Sequence, residues 1–431
     1  KVDGYFSGGL PGGTIADEDA YVLRVEAENN SGYGFDPHEQ TIRLLLSDSV
    51  AHHNGLDGFE ADFVVDSVYS GNLAHHNDRH GFNIVTSTND LTLTDNIAHD
   101  NGGAGIAIQR GNADIPVPRN IVISGGEVYG NTREGVLVKM SEDVLVTGVD
   151  IHDNGTYGVR IYGSSHVTVE GSTISASSQS GDGLYSDIQI SERADLDFTG
   201  TVFAARFNLV ANNVITAAAP LSRWGVEERA GSTGNNLIAD NVIDGQALGP
   251  VKLTGEGSVL RHAGGDGDDD LIGGASGDRL SGNAGDDRLD GGGGNDTLDG
   301  GEGSDTLIGG RGADILSGGD GGDSLAGNDG NDSVEGDGGD DSISGGKGAD
   351  QLSGGTGNDW ISGDTNTDTL YGGEGSTLST AWTAMTRSMA ASMPTPSSAA
   401  RGRTGCMARM AMTASRAIPA TTKSRAARAP T

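Results

Sequence analysis

Between Gly34 and Ile243 short runs of alternating apolar and polar residues recur, each announced by an asparagine and, a few positions on, a glycine. The segments AHHN, AHHN, AHDN, YGN and HDN end at Asn54, Asn77, Asn101, Asn131 and Asn154, steps of 23, 24, 30 and 23. The long step implies an insertion, NADIPVPR. Gly34, Gly58, Gly81, Gly105, Gly135 and Gly158 follow the same period. The first and third positions after these glycines read Phe35/Pro37, Phe59/Ala61, Phe82/Ile84, Ile106/Ile108, Val136/Val138 and Val159/Ile161. The second and fourth read Asp36/His38, Glu60/Asp62, Asn83/Val85, Ala107/Gln109, Leu137/Lys139 and Arg160/Tyr162. Successive strand residues point to opposite faces, so the first set is predicted to be core and the second to face solvent. Repeats of this length with Asn/Gly turns predict a right-handed parallel β-helix with rungs about 4.8 Å apart. The asparagines are expected at the corners, in the left-handed conformation they tolerate.

A second, stricter period begins at Gly264. Twelve nonapeptides run to Tyr371 without insertion, on the pattern Gly-Gly-x-Gly-x-Asp-x-(Leu/Ile/Val)-x. The sixth position is always aspartate: Asp269, Asp278, Asp287, Asp296, Asp305, Asp314, Asp323, Asp332, Asp341, Asp350, Asp359 and Asp368. The eighth is always aliphatic, from Leu271 to Leu370. Glycine allows tight turns, carboxylates and turn carbonyls supply hard oxygen ligands, and the aliphatic residue stacks inside a short strand, so the array is predicted to bind Ca2+ through those aspartates. Composition alone would suggest a disordered acidic linker, but an unbroken period argues against it. The array resembles the RTX repeat family, which implies a parallel β-roll. The expected organisation is all-β: a β-helical module over 1–255, a linker over 256–263, the roll over 264–371 and a disordered tail over 372–431.

Charge narrows the partners. The 431 residues carry a net charge of −34, which disfavours nucleic acid and anionic lipid and favours cations. No apolar run is long enough to span a membrane, and no signal peptide is visible. The chain opens at Lys1 directly in patterned sequence, so it reads as a fragment of a longer protein, its first rungs missing. Cys406 is the single cysteine, which rules out a disulfide framework and leaves calcium as the staple of an exported protein. The expectation is a monomer secreted by a bacterium.

The outward columns gather Asp36, His38, Glu60 and Asp62 on neighbouring rungs, with Arg79 and His80 entering beside the third strand and Lys139 further along. A solvated polar face would look the same. His52 and His75 read as structural, and Asp57, Asp78 and Glu134 as caps for turn amides. Five segments decide between these readings: YGFDPHEQT from Tyr33, NGLDGFEADF from Asn54, NDRHGFNIVTST from Asn77, IQRG from Ile108 and REGVLVKM from Arg133. They resemble the calcium-dependent mannuronan C5-epimerases of alginate-producing bacteria and their alginate-cleaving relatives, which join a β-helical module to RTX repeats in the order seen here. The resemblance implies that Tyr33, Asp36, His38 and Asp62 are catalytic, and that Arg79, His80, Gln109, Arg110 and Lys139 lie near the carboxylates of a polymannuronate chain. Epimerisation at C5 requires neutralising the sugar carboxylate, a base on one face and an acid on the other. His38 and Tyr33 form the natural pair, in either order. Loss of the C4 oxygen from the same carbanion would make the enzyme a lyase, and a non-catalytic alginate-binding protein is the third reading. Two places depart from the pattern: Asn89 stands where the family has STHD, and DGLYSDIQISERADL fits the rungs poorly.

After Ser376 the composition inverts. The last 55 residues contain no Asp or Glu, eight Lys/Arg and six of the seven methionines. Back-translated with GC-rich codons and moved by one base, Ser379–Thr386 becomes Asp-Gly-Val-Asp-Gly-Asp-Asp and Cys406–Ala414 becomes Leu-His-Gly-Ala-Asp-Gly-Asn-Asp-Gly. The tail therefore reads as repeat code out of frame, with a natural basic tail as the alternative. Resequencing the gene through codon 376 is expected to reveal a missing or additional base; an intact frame there refutes the shift.

Overall fold

The structure, a computed structural model, describes residues 19–37, 41–110, 116–175, 185–194, 202–216, 224–229, 234–244, 249–254, 257–264 and 266–375, with backbone alone for a few of these and for 5–7, 378–381, 387–389 and 405–406. No α-helix occurs among them. Three parallel sheets wrap one core. The first contains Phe35–Pro37, Phe59–Asp62, Phe82–Val85, Ile106–Gln109, Val136–Lys139 and Val159–Tyr162. The second contains Leu45–Ser47, Val65–Ser70, Asn89–Thr94, Arg119–Ser124 and Glu142–Thr147. The third is a nine-stranded stack from Glu26–Glu28 to Val242–Asp244. Strands pair in the register set by the glycines: Phe82 lies between Phe59 and Ile106, and Val85 between Asp62 and Gln109. The predicted core column is buried, and Phe35, Phe59 and Phe82 stack at ring spacings of 4.8 Å.

The asparagines do something other than expected. The left-handed residues are one position earlier, at His53, His76, Asp100 and Asp153, with φ of 54°, 54°, 53° and 53°. Asn54, Asn77, Asn101, Asn131 and Asn154 instead point inward and are at most 2% exposed. From Asn54 to Asn131 each amide donates to the next rung's amide oxygen, at 2.9 Å from Asn54 to Asn77, 3.0 Å from Asn77 to Asn101, 2.9 Å from Asn101 to Asn131 and 3.0 Å from Asn131 to Asn154. The same oxygens accept the backbone N–H of the preceding asparagine, as from Asn54 to Asn77 at 3.2 Å. An amide carries both donors and acceptors, so the column satisfies itself without water. It also explains the glycine period: a Cβ on Gly34 would lie 2.4 Å from the Gly58 carbonyl oxygen and 2.9 Å from the Asn54 amide nitrogen.

Three boundaries differ from expectation. Ile188–Ser191, inside the segment that fits the rungs poorly, pairs in register with Val159–Tyr162 although Asp187 stands where the earlier rungs have glycine. The expected linker is a strand: Val259–Ala263 pairs with Leu237–Ala239 on one side and with Arg279–Ser281 on the other. It bridges the two modules because His262 takes the inward place that Leu280 takes next, and is only 4% exposed. The ladder also continues past residue 371, where Glu374–Gly375 pairs with Thr356–Gly357 and Leu378–Ala381 with Trp360–Asp364. The third sheet ends at Val242–Asp244, so the three-sided helix passes into a two-sided roll. Inside the roll the eighth-position column from Leu271 to Leu370 is buried throughout.

Asn77 makes two side-chain bonds as acceptor and two as donor, the last to the Ala51 carbonyl at 3.0 Å. Replacing it with leucine strands all four partners, at a cost of about 3 kcal/mol or more. Asn77→Leu is expected to lower the thermal midpoint by several degrees; a midpoint equal to that of the parent chain shows that the ladder is dispensable.

Candidate active site

The outward face of the first sheet is not solvated. Asp36, Glu60, Asn83, Ala107 and Leu137, all expected to face water, are 6%, 8%, 1%, 0% and 6% exposed. Polar groups held this dry are costly unless they are paired or used. The column just before each strand supplies the pairing. Asp57, fully buried, accepts the His80 backbone N–H at 2.8 Å and the Asn83 side-chain amide at 2.9 Å, and lies 3.3 Å from the Arg79 guanidinium. It caps a turn amide as predicted and also anchors a cation. Glu134 is likewise buried and ion-paired, at 3.2 Å from Arg160 and 3.6 Å from Arg133.

Four carboxylates from two adjacent rungs converge here: Asp36, Asp57, Glu60 and Asp62. Burial, and then the charges of Asp57 and Asp36, push the Glu60 carboxyl up to about 8, so it keeps its proton at neutral pH. Its Oε2 has no hydrogen-bond partner in the structure. The Tyr33 hydroxyl bonds to Glu60; burial and the Glu60 charge raise the phenol well above its ordinary value. Burial also raises Asp57 against the opposing pull of Arg79. Glu60 was legible as a member of the second-position column but not as a member of the site. The signal was available: like charges stacked one rung apart cannot all ionise.

The neighbouring rungs are cationic. His80 is 9% exposed, and burial followed by the charges of Arg79 and Arg133 lowers it to about 4, so the ring is neutral. Its Nδ1 accepts the Ala104 backbone N–H at 3.0 Å, which places the ring proton on Nε2, on the side of Gln109 at 3.4 Å. Gln109 also donates to Asn83 at 2.9 Å. Lys139 sits beside Gln109 in register and continues the fourth-position column. Tyr33, Asp36, Asp62, Arg79, His80, Gln109 and Lys139 therefore share one face. The Arg110 guanidinium carbon lies over the Phe203 ring at 5.3 Å. His38 lies outside the described residues. The Asn89 side chain donates to the Ser87 carbonyl at 2.9 Å.

In the roll, the repeated aspartates form a ladder of their own. Each Oδ1 accepts a backbone N–H from two repeats earlier, at 2.8 Å from Asp278 to Asp296 and from Asp287 to Asp305. From Asp287 to Asp359 the second oxygens, all buried, have no hydrogen-bond partner in the structure. They point at glycine: a Cβ on Gly291 would lie 2.4 Å from Asp296 Oδ2. Orphaned carboxylate oxygens in a glycine cradle fit a hard, oxygen-seeking cation, which Asp287, Asp296, Asp305, Asp314, Asp323, Asp332, Asp341, Asp350 and Asp359 would hold. Asp278 Oδ2 is already bonded to the Gly274 N–H at 2.7 Å, Asp269 is only half-buried, and Asp368 ends the series.

Comparison with known proteins agrees with both modules. Residues 6–132 and 118–260 match the right-handed β-helix region family, and five overlapping stretches from 263 to 377 match the RTX calcium-binding nonapeptide repeat family. Mannuronan C5-epimerase AlgE3 of Azotobacter vinelandii is 49% identical over 272 residues, 63% of this chain and 15% of that protein. The solved A-module of mannuronan C5-epimerase AlgE4 from the same organism is 44% identical, with a TM-score of 0.58, covering 61% of this chain and 69% of the module. Alginate lyase 7 of A. vinelandii is 42% identical over 267 residues, 62% of this chain and 31% of its own length. The chain thus spans a small part of the full-length relatives and about two thirds of the solved module.

Burial raises the roll aspartates, to about 6 at Asp278, Asp287, Asp332 and Asp341 and about 7 at Asp296, from an ordinary value of 3.8. Between these values the metal-free roll holds protons that the unfolded chain has released, so its stability falls as pH rises through that window. Calcium binds the deprotonated carboxylates and reverses the trend. In a chelator, the β-signal of the roll is expected to weaken from about pH 5 to about pH 7.5 and to return on adding millimolar calcium. Equal signal at both values without calcium would falsify the burial of ionised carboxylates as the cause.

Proposed function

The chain belongs to the mannuronan C5-epimerase family, and we propose that it converts β-D-mannuronate residues to α-L-guluronate within alginate, outside the bacterial cell. The observation that carries this reading is the phenol–carboxyl pair of Tyr33 and Glu60, set in a cluster of buried acids one rung from Arg79 and His80. The C5 proton of a uronate is weakly acidic because its carboxylate already carries a charge. Arg79 and Lys139 supply positive charge to that group, and a protonated Glu60, with Asp36 and Asp62 beside it, supplies a donor. Neutralised in this way, the carboxylate accepts the electron pair released when the C5–H bond breaks.

The acid–base pair then divides by environment. Tyr33 is held as a neutral phenol by burial and by Glu60, which suits a proton donor, leaving His38 as the acceptor on the opposite face of the ring. Transfer of the C5 proton to His38 and delivery of the Tyr33 proton from the other side invert the centre without net change in composition. Neutral His80, with its proton on Nε2, together with Gln109, donates to the sugar. In this reading the calcium-bound roll stabilises the end of the helix and serves as a second contact for the polyanion.

A second reading rests on the 42% identity to an alginate lyase. If the C4 oxygen leaves from the same carbanion before the second proton arrives, the chain is cleaved, with an unsaturated end. Incubating the calcium-loaded chain with polymannuronate in heavy water separates these outcomes. Deuterium at C5 in uncleaved polymer is the expected result, and Tyr33→Phe is expected to slow its appearance by about 100-fold or more. Ultraviolet-absorbing ends in place of exchange select the lyase, whereas retention of every C5 proton with no new ends overturns both.

A further inference from the structure

The third sheet carries chemistry that the proposed reaction does not use. Its outward edge bears two parallel files of side chains, produced by the repeated tripeptides HHN and HDN. In the first file His52, His75 and His99 stack face to face at 4.9 and 5.0 Å, nearly parallel at 2° and 3°, and continue into Tyr129 and His152. In the second file His53 stacks on His76 at 5.2 Å, and Asp100 takes the next place. The files touch each other. Nδ1 of His52 is 2.8 Å from Nδ1 of His53, Nδ1 of His75 is 2.9 Å from Nδ1 of His76, and Nδ1 of His99 is 2.8 Å from Asp100 Oδ2.

The donor set separates this arrangement from ordinary surface polarity. One ligand atom each from His76, His99 and Asp100 lies within 4.8 Å of the others. An ion bonded at about 2.0–2.1 Å holds tetrahedral neighbours about 3.4 Å apart. Closing that gap takes small rotations of the exposed His76 and Asp100 side chains, which exchange contacts to His75 and His99 for the ion. Imidazole nitrogen with one carboxylate selects borderline divalent ions over calcium, which takes oxygen ligands.

We propose that His76, His99 and Asp100 form a surface site for a zinc-class divalent cation, with His53 and His75 as adjoining imidazoles, chemically separate from the calcium-binding roll. Such an ion ties two successive rungs together on the side of the helix away from the acid cluster.

The test is calorimetric titration of the full chain with Zn2+ while calcium is kept saturating. One ion per chain is expected, with a dissociation constant of about 10 μM or tighter. Replacing His76→Asn together with Asp100→Asn removes two donors and puts at both positions the residue best suited to positive φ, so the fold is kept. That double variant is expected to bind at least about 10-fold more weakly, whereas His166→Asn, at an exposed histidine outside the cluster, leaves binding unchanged. Absence of zinc binding, or equal affinity in the double variant, overturns the proposal. Co2+ absorption of the unaltered chain gives a reading that depends on no variant: intensified visible bands are expected, and a spectrum identical to that of aqueous Co2+ overturns the site.

Discussion

Every column on this molecule depends on one constraint, that each rung must satisfy its inward corner amides with a side chain from the next rung. In the helix asparagine does this with a neutral group that both donates and accepts, so Asn54, Asn77 and Asn101 close on one another and need nothing further. In the roll aspartate takes over the task with the same step of one turn. Its Oδ1 receives the amide, but a carboxylate has no donor to give its neighbour, and Oδ2 is left facing a glycine. The change from amide to acid therefore turns a self-sufficient ladder into one that needs a cation. The change occurs at a definite place, where Asp278 caps the Leu260 amide at 2.6 Å, on the last strand before the roll.

Register fixed by that ladder is what brings the reactive groups together. Asp36, Glu60 and His80 are about twenty residues or more apart along the chain, yet they lie buried on successive rungs, with half-buried Tyr33 beside them. The layer is expensive: three acids crowd the space beside Glu60, and His80 is stripped of its charge. A core designed for stability alone would place apolar residues there, as rungs four and five do with Ala107 and Leu137. The polar and apolar halves of one face thus separate the reactive part of the column from its support.

Much of this was legible in the sequence, because glycine spacing and strand alternation fix register wherever a period holds. Phe35, Phe59 and Phe82 followed from that, as did the aspartates of the roll. The misreadings share a cause. Spacing says which residues are neighbours, not how deep they lie, so Glu60 and Asn83 were assigned to solvent. Asparagine was credited with the left-handed corner that its neighbour His53 or His76 adopts, since both lie within one tight bend and propensity cannot tell them apart. The linker at 256–263 was inferred from the end of one period and the start of another; the hydrogen-bond ladder runs through both.

That uninterrupted ladder has a consequence for life outside the molecule's own fold. A stack of parallel strands that simply stops exposes a row of unpaired amides and carbonyls, the template on which other chains aggregate. Here Arg261–Ala263 is covered by Arg279–Ser281, the first strand of the roll on that sheet. An ion that keeps the roll wound would therefore also keep that edge sealed, and its removal would leave the helix ending in an adhesive edge.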